Sequence, residues 1–456
     1  MNKRADRKDL LSGSILKHVI RLATPMIIAF IFVTSYQYVD RIFVSQLGDV
    51  ATAAIGMAFT LQMVVISLGV GIGNGVNSFI SRNLGANKNE VAENTILHAF
   101  LIAILVGLLL SAMGLLGQRF LFRQLGADGQ LLEFITAYLT IIFLFTPVNL
   151  LTMVSSSVYQ GWGDTVSPMK FMLLGNIINL TLDPLLIFGL ASFPELGIQG
   201  AAWATGLGRA VSLLYVGYQM FFRHQPTQLK LRLFRLDRAI ISGVFQVGLP
   251  ASVSQMLTSV AMMFVFYVLN PFGSDARAAY TIVFTYEMVI FLPAIGISQA
   301  VSILTGHNFG AGHFERVNKV YFTGIGVAFS IMAFSALIII VFSTFFAGIF
   351  AQSPEVLKIS AHALRITAIG HFFSGIYLCS AASFQGLGLG RHYLAANLVR
   401  LYLLQVPLAF FGAKFFGLEG VWYGLMAVNI ISGLVLFIWH QYIYRLQVVT
   451  GQIQPL

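Results

Sequence analysis

Long apolar runs separated by short polar breaks fill the chain from about residue 17 to residue 443. Many of the runs exceed the ~20 residues that cross a bilayer core. Read against the breaks, they predict about twelve spans. These lie near 17–43, 52–81, 92–117, 131–159, 168–191, 198–222, 239–270, 278–305, 318–350, 359–384, 393–416 and 419–443. Several are longer than a straight crossing needs, so some helices must tilt or protrude.

The runs repeat. At a constant offset of 225 residues, Asn83-Leu84-Gly85-Ala86 recurs as Asn308-Phe309-Gly310-Ala311, and Gln160-Gly161-Trp162-Gly163 as Gln385-Gly386-Leu387-Gly388. Pro25 falls on Pro250, Gly48 on Gly273 and Glu90 on Glu315. A later pair, Gly197-Ile198-Gln199-Gly200 and Gly417-Leu418-Glu419-Gly420, keeps the pattern at an offset of 220. Six spans per half is an even number, so both halves take the same orientation. The expected fold is an all-α polytopic membrane protein of twelve helices, in two six-helix lobes related by a pseudo-twofold axis along the membrane normal. Parallel repeats of this kind enclose a central cleft. The halves read as an N-lobe over 1–222, a basic cytoplasmic linker over 223–238, and a C-lobe over 239–456.

Composition closes off the soluble alternative. Hydrophobic residues make up 57% of the 456 positions and charged residues 10%, whereas a soluble domain carries about 25% charged residues. The basic N-terminal segment (Lys3, Arg4, Arg7, Lys8, Lys17) resembles a signal n-region. The apolar run behind it is too long for a signal peptide and lacks a small-residue cleavage pattern, so it reads as the first span. The single cysteine, Cys379, excludes an internal disulfide.

Charge sets the orientation. Eighteen Lys and Arg residues fall on the side of the termini, six on the other, and Arg209, Arg365 and Arg400 lie inside spans. That bias predicts a multi-pass protein of the cell inner (cytoplasmic) membrane with both termini cytoplasmic. The net charge of +10 is explained by loops facing lipid headgroups, so nucleic acid is not an expected partner. No nucleotide loop, metal spacing or nucleophile elbow occurs, which argues against a pump driven by nucleotide hydrolysis and against an enzyme. The glycine runs Gly69 to Gly75 and Gly386 to Gly390 read as close helix packing, and no cofactor is expected.

Ionisable residues at membrane depth each cost roughly 2.5–3.5 kcal/mol at a helix centre and need a reason. Asp183 sits in Leu180-Thr181-Leu182-Asp183-Pro184, with Asn179 four residues earlier on the same helix face. Pro184 frees a nearby carbonyl, which suits a cation or proton site; the plainer reading is that Asp183 caps a broken helix or bonds a neighbouring hydroxyl. Asp40 ends Tyr36-Gln37-Tyr38-Val39-Asp40, where an interfacial Asp followed by Arg41 is ordinary; Pro25 is the natural kink point of the same helix. In the second half Glu287 has Arg400 and Arg365 as candidate ion-pair partners, and His371 reads as a hydrogen-bonded core histidine or a proton relay. Tyr36, Glu287, Arg400 and His371 are candidates for a secondary site. Some of the 40 Phe and 15 Met should line the cleft, where aromatic and flexible surface accepts varied apolar cations.

At these residues the whole chain resembles the multidrug and toxic compound extrusion (MATE) family of the multidrug/oligosaccharidyl-lipid/polysaccharide exporter superfamily. The likeness is carried by the proline-bearing first helix ending in Val39-Asp40, by Gly85-Ala86, by Gln160-Gly161, and by Asn179-Leu180-Thr181-Leu182-Asp183-Pro184 followed by Gly200-Ala201-Ala202-Trp203-Ala204-Thr205. It is nearest to the bacterial and archaeal branch named after DNA-damage-inducible protein F. The resemblance implies an N-lobe cation site at Asp40, Asn179, Asp183 and Thr205, for H+ or Na+. It implies a monomeric antiporter that exports amphipathic, mostly cationic xenobiotics by alternating access. The branch named for norfloxacin resistance has a glutamate in its seventh span, but Pro250 to Leu269 contains no acid here. The alternative function is a lipid-linked oligosaccharide flippase, which would need Arg209, Arg365 and Arg400 to face one cavity.

Overall fold

The structure, a computed structural model, describes residues 10–223, 227 and 234–449. Residues 1–9 (with Lys3, Arg4, Arg7 and Lys8), 224–226, 228–233 (with Lys230 and Arg232 of the basic linker) and 450–456 lie outside the described residues.

Every regular element among the described residues is helical. The first half consists of α1 (Ile15–Ser45), α2 (Asp49–Gly85), α3 (Asn89–Gln124), α4 (Gly129–Leu144), α5 (Thr146–Gly161), α6 (Val166–Phe188) and α7 (Ile198–Phe221). The second consists of α8 (Arg238–Leu269), α9 (Gly273–Gly310), α10 (Phe314–Phe350), α11 (Pro354–Gly386), α12 (Gly390–Leu398) and α13 (Val406–Ile443). A π-helical stretch, Val399–Gln405, joins the last two. Among the described residues, eight helical runs are long and apolar enough to cross a membrane, and the α4–α5 pair makes a ninth. Two of the eight, Arg238–Gly310 and Gly390–Leu446, each hold two helices, divided at Gly273 and Gly417. With α7 these make the twelve segments that the apolar runs mark.

One predicted span is broken. The run 131–159 is not one helix but α4 and α5, bent by 51°. Pro147 stands in the first turn of α5, where a missing backbone donor is tolerated, whereas inside a continuous helix it would cost a hydrogen bond. Its counterpart 225 residues on is Phe372, and α11 there runs unbroken.

The duplication is written in the backbone. Left-handed residues recur in register: Gly48 and Gly273, Asn87 and Gly312, Gly163 and Gly388, and Gly197 with Gly417. Positive φ is costly for residues with a Cβ, so these positions fix where each half turns.

The chain forms two compact units, one of residues 1–27, 81–87 and 253–456, the other of residues 28–80 and 88–252. Relative to halves divided at the linker, they exchange the first parts of α1 and α8. The exchange falls two residues beyond Pro25 and two beyond Pro250. Within the first unit α11 packs on α9, α10 and α13; within the second α6 packs on α7, and α3 on α5.

Glycines make these packings close. On α2, Gly71 and Gly75 face Ser252 and Val244 of α8, while Gly69 and Gly73 face Met153 and Ser157 of α5. The symmetric contact in the other unit sets Gly296 of α9 against Ala23 and Ile27 of α1. The glycine run from Gly69 to Gly75 is thus a two-sided packing surface.

Candidate functional site

Close approach of α6 and α7 builds the first polar site. A Cβ on Gly208 would stand 2.5 Å from the Gly175 carbonyl oxygen, so only glycine lets the two backbones meet there. One turn on along α6 and one turn back along α7, this contact brings Asn179 opposite Thr205. The Asn179 side-chain amide donates to Thr205 Oγ1 at 3.3 Å and to Asp183 Oδ1 at 3.4 Å. Asp183 is wholly buried. Pro184 does not break α6, which continues to Phe188 and ends at left-handed Gly189. Asp183 therefore lies within the helix and caps nothing.

Asp40 of α1 completes the group. Its carboxyl and that of Asp183 lie within hydrogen-bonding reach of one another. Two carboxyl groups can share a hydrogen bond only when one holds a proton; a bound cation is the other way to bring them together. Asp40 Oδ1, Asp183 Oδ2 and Asn179 Oδ1 are buried and receive no hydrogen bond from a donor among the described residues. Buried acceptors without donors are costly, and oxygens gathered from carboxylate, amide and hydroxyl groups suit a hard monovalent cation as well as a proton. All four residues named from the sequence thus come together.

Asp40 and Thr205 also line a cavity of about 400 Å³. Tyr36, Phe59 and Tyr138 give it aromatic walls, and Arg41 adds a positive charge. Tyr36, expected at a secondary site, belongs to this cavity. Sequence reasoning missed Gln62 and Tyr138. The Gln62 side chain donates to the Tyr138 hydroxyl at 3.4 Å, and Tyr138 is close enough to Asp40 and Asp183 to feel both charges. The available signal was a polar group inside an apolar run, Gln62 in span two and Tyr138 in span four.

The remaining secondary candidates lie in the other unit. Glu287 of α9 pairs with neither Arg400 nor Arg365. Its Oε1 stands 3.2 Å from His371 Nε2 of α11, because α9 and α11 pack directly. Arg365 donates instead to Ser343 Oγ at 2.6 Å and Thr344 Oγ1 at 3.3 Å. Arg400 donates to Asn429 Oδ1 at 3.0 Å and lies over the Tyr377 ring at 4.6 Å. The cavity of about 610 Å³ beside Arg365 is lined by neither Arg209 nor Arg400, so it does not gather the three arginines that a flippase would need.

The family model described as MatE matches this chain twice, over residues 25–185 and 250–411. The chain belongs to the MatE family. The two matches start at Pro25 and Pro250, the register found in the sequence. Among similar proteins, the FAD transporter of Shewanella oneidensis is 30% identical over 95% of this MatE chain and 96% of its own. The probable multidrug resistance protein YoeA of Bacillus subtilis is 28% identical, covering 90% and 89%. Among solved structures, one described as the outward-facing conformation of a multidrug resistance MATE family transporter superposes with a TM-score of 0.90. It is 30% identical and covers 96% of this chain and 97% of that one. This MatE protein is therefore a multi-pass membrane transporter.

Proposed function

We propose that the chain is an efflux antiporter that exports amphipathic, mostly cationic organic compounds in exchange for H+ or Na+ by alternating access. The observation that carries the reading is the facing Asp40 and Asp183 carboxyls, with Asn179 and Thr205, at the edge of an aromatic-walled cavity. Two like charges 4 Å apart repel by about 4 kcal/mol at an effective dielectric constant of 20. A proton or Na+ relieves that repulsion. An organic cation in the cavity, with its ring against Tyr36, Phe59 or Tyr138, relieves it as well. The same negative charge then serves ion or cargo, and this competition couples their opposite movements. Pro25 supplies the place at which α1 bends when the ion enters or leaves. We further place both termini in the cytoplasm of the inner membrane, on the charge bias of the loops, and read the working unit as a monomer, since the ion group lies within one chain.

The test is uptake of a fluorescent organic cation into proteoliposomes, with a pH gradient imposed in one sample and an Na+ gradient in the other. Accumulation driven by either gradient supports the reading, and its absence with both, for folded protein, contradicts it. Thr205→Val separates the ions. If Na+ is the partner, the variant loses a ligand oxygen, and coupled uptake falls by about tenfold, as for a lost contact to a charged group. If H+ is the partner, uptake stays within about twofold of wild type, because the proton can be carried by the carboxyls alone.

A second reading is favoured by the Shewanella relative, described as an FAD transporter. In it the cargo is an anionic flavin dinucleotide, and Arg41 in the cavity wall meets its phosphates. Competition between FAD and the fluorescent cation for uptake distinguishes the readings, since only FAD moves if this one holds.

A further inference from the structure

A second cavity, of about 610 Å³, opens at the N-terminal end of α11. We propose that it holds the headgroup of a zwitterionic phospholipid, with the phosphate on Arg365 and Lys358 and the ammonium on Glu355 and Glu419. All four side chains line the cavity.

The charges there are arranged rather than scattered. Arg365 is held by two neutral hydroxyls, Ser343 through Nε at 2.6 Å and Thr344 through Nη2 at 3.3 Å. Those bonds orient the guanidinium and leave its charge unopposed. Among the described residues no carboxylate lies within 4.0 Å of Arg365 or of Lys358. An oriented guanidinium without an acidic partner is the usual arrangement for taking a phosphate. Glu419 has one partner, His362 at 3.4 Å, and both side chains are about half exposed or more, at 64% and 48%. Such a pair is weak and leaves the carboxylate available to an ammonium.

The balance of charge selects the lipid. Two fixed cations and two fixed anions match a headgroup carrying both signs. A purely anionic headgroup would satisfy Arg365 and Lys358 and set its own charge against Glu355 and Glu419. The lining also has apolar members, among them Leu357 and the buried Trp422. Phe345, next to Thr344, and Phe416, near Leu418, are 67% and 76% exposed, as expected of residues that meet acyl chains. Basic side chains between membrane helices hold lipid phosphates; here Glu355 and Glu419 add a place for the ammonium. The cavity lies outside the Asp40–Asp183 group and does not depend on the antiport reading.

The test is native mass spectrometry of the full-length protein equilibrated with phosphatidylethanolamine and phosphatidylglycerol in equal amounts. Wild type is expected to retain phosphatidylethanolamine in preference. Arg365→Gln should lower total retention by about tenfold, the scale of one charge-assisted hydrogen-bond set, and Arg365→Lys should keep part of it. The double variant Glu355→Gln with Glu419→Gln should still bind phospholipid but lose the preference. Soluble O-phosphoethanolamine should compete poorly, because it lacks the chains. Equal retention by wild type and Arg365→Gln overturns the proposal, and so does full displacement by O-phosphoethanolamine, which would make the occupant a soluble zwitterion. Each variant is first checked for a single elution peak; if Arg365→Gln does not fold, Lys358→Gln is read in its place.

Discussion

Asp183→Asn is expected to cut gradient-driven efflux by about 100-fold, toward the upper range of coupling between two ligand sites, while leaving the protein folded. The substitution is nearly isosteric. An asparagine oxygen can still accept the bond that Asn179 now donates to Asp183 Oδ1, so local packing survives. What disappears is the charge for which, as proposed above, ion and cargo compete. Asp40→Asn should act alike, because a single carboxylate without its neighbour no longer has repulsion to relieve. The measurement is initial efflux rate in proteoliposomes at matched protein content, with folding checked by size exclusion. Rates within about twofold of wild type for both variants would remove the coupling role.

The second large effect concerns stability. The repeated Asn-x-Gly-Ala motifs meet each other in the unit that holds residues 81–87 and 253–456. A Cβ on Gly85 would overlap the His307 carbonyl oxygen, and one on Gly310 would overlap the Arg82 carbonyl oxygen. The obstacle in both cases is backbone, which cannot swing aside as a side chain can. Gly85→Ala and Gly310→Ala are each expected to cost about 1–3 kcal/mol, the range for overpacking a well-filled core. Their sum should not be additive, since both force apart the same crossing. Gly326→Ala is the control. Nothing lies within 4 Å of its added methyl, and alanine is the better helix former by about 1 kcal/mol. Thermal melting in detergent should therefore fall for the first two and hold or rise for the third. A melting temperature unchanged in Gly85→Ala would show that the crossing is looser than described.

Much of this was legible in the sequence because duplication leaves fixed marks. Pro25 and Pro250, the Asn-x-Gly-Ala pair and the Gln-Gly-x-Gly pair each sit at a place where backbone geometry allows few substitutes. The structure explains the Gln-Gly-x-Gly pair as symmetric contacts: Gly161 against Ile80 and Asn77, and Gly386 against Thr305 and Ser302. The Asp183 site was legible for a different reason. A buried carboxylate stands out from an apolar background, and the spacing to Asn179 places both on one helix face.

Four features were hidden. The α4–α5 bend depends on Pro147, which tolerates either a kinked or a broken helix, and sequence alone does not choose between them. The pairing of Glu287 with His371 depends on which helices are neighbours; arginine was the obvious partner by charge, but Arg365 and Arg400 are held by Ser343, Thr344, Asn429 and Tyr377. Gln62 and Tyr138 were invisible because a lone polar residue in a span has many uses, and only their mutual bond near Asp40 singles them out. The exchange of the first parts of α1 and α8 between the compact units is likewise a matter of packing. Proline marks the point of exchange but does not say that a helix changes company there.

Competition of ion and cargo for the Asp40–Asp183 group, as proposed, can be read in one experiment: an amphipathic organic cation is added to purified protein in weakly buffered solution containing tracer Na+. The ions released are then recorded. Wild type is predicted to release H+ or Na+ on binding, and Asp40→Asn and Asp183→Asn to release neither. Cargo binding that displaces no ion from wild type, or the same release from both variants, would contradict the account.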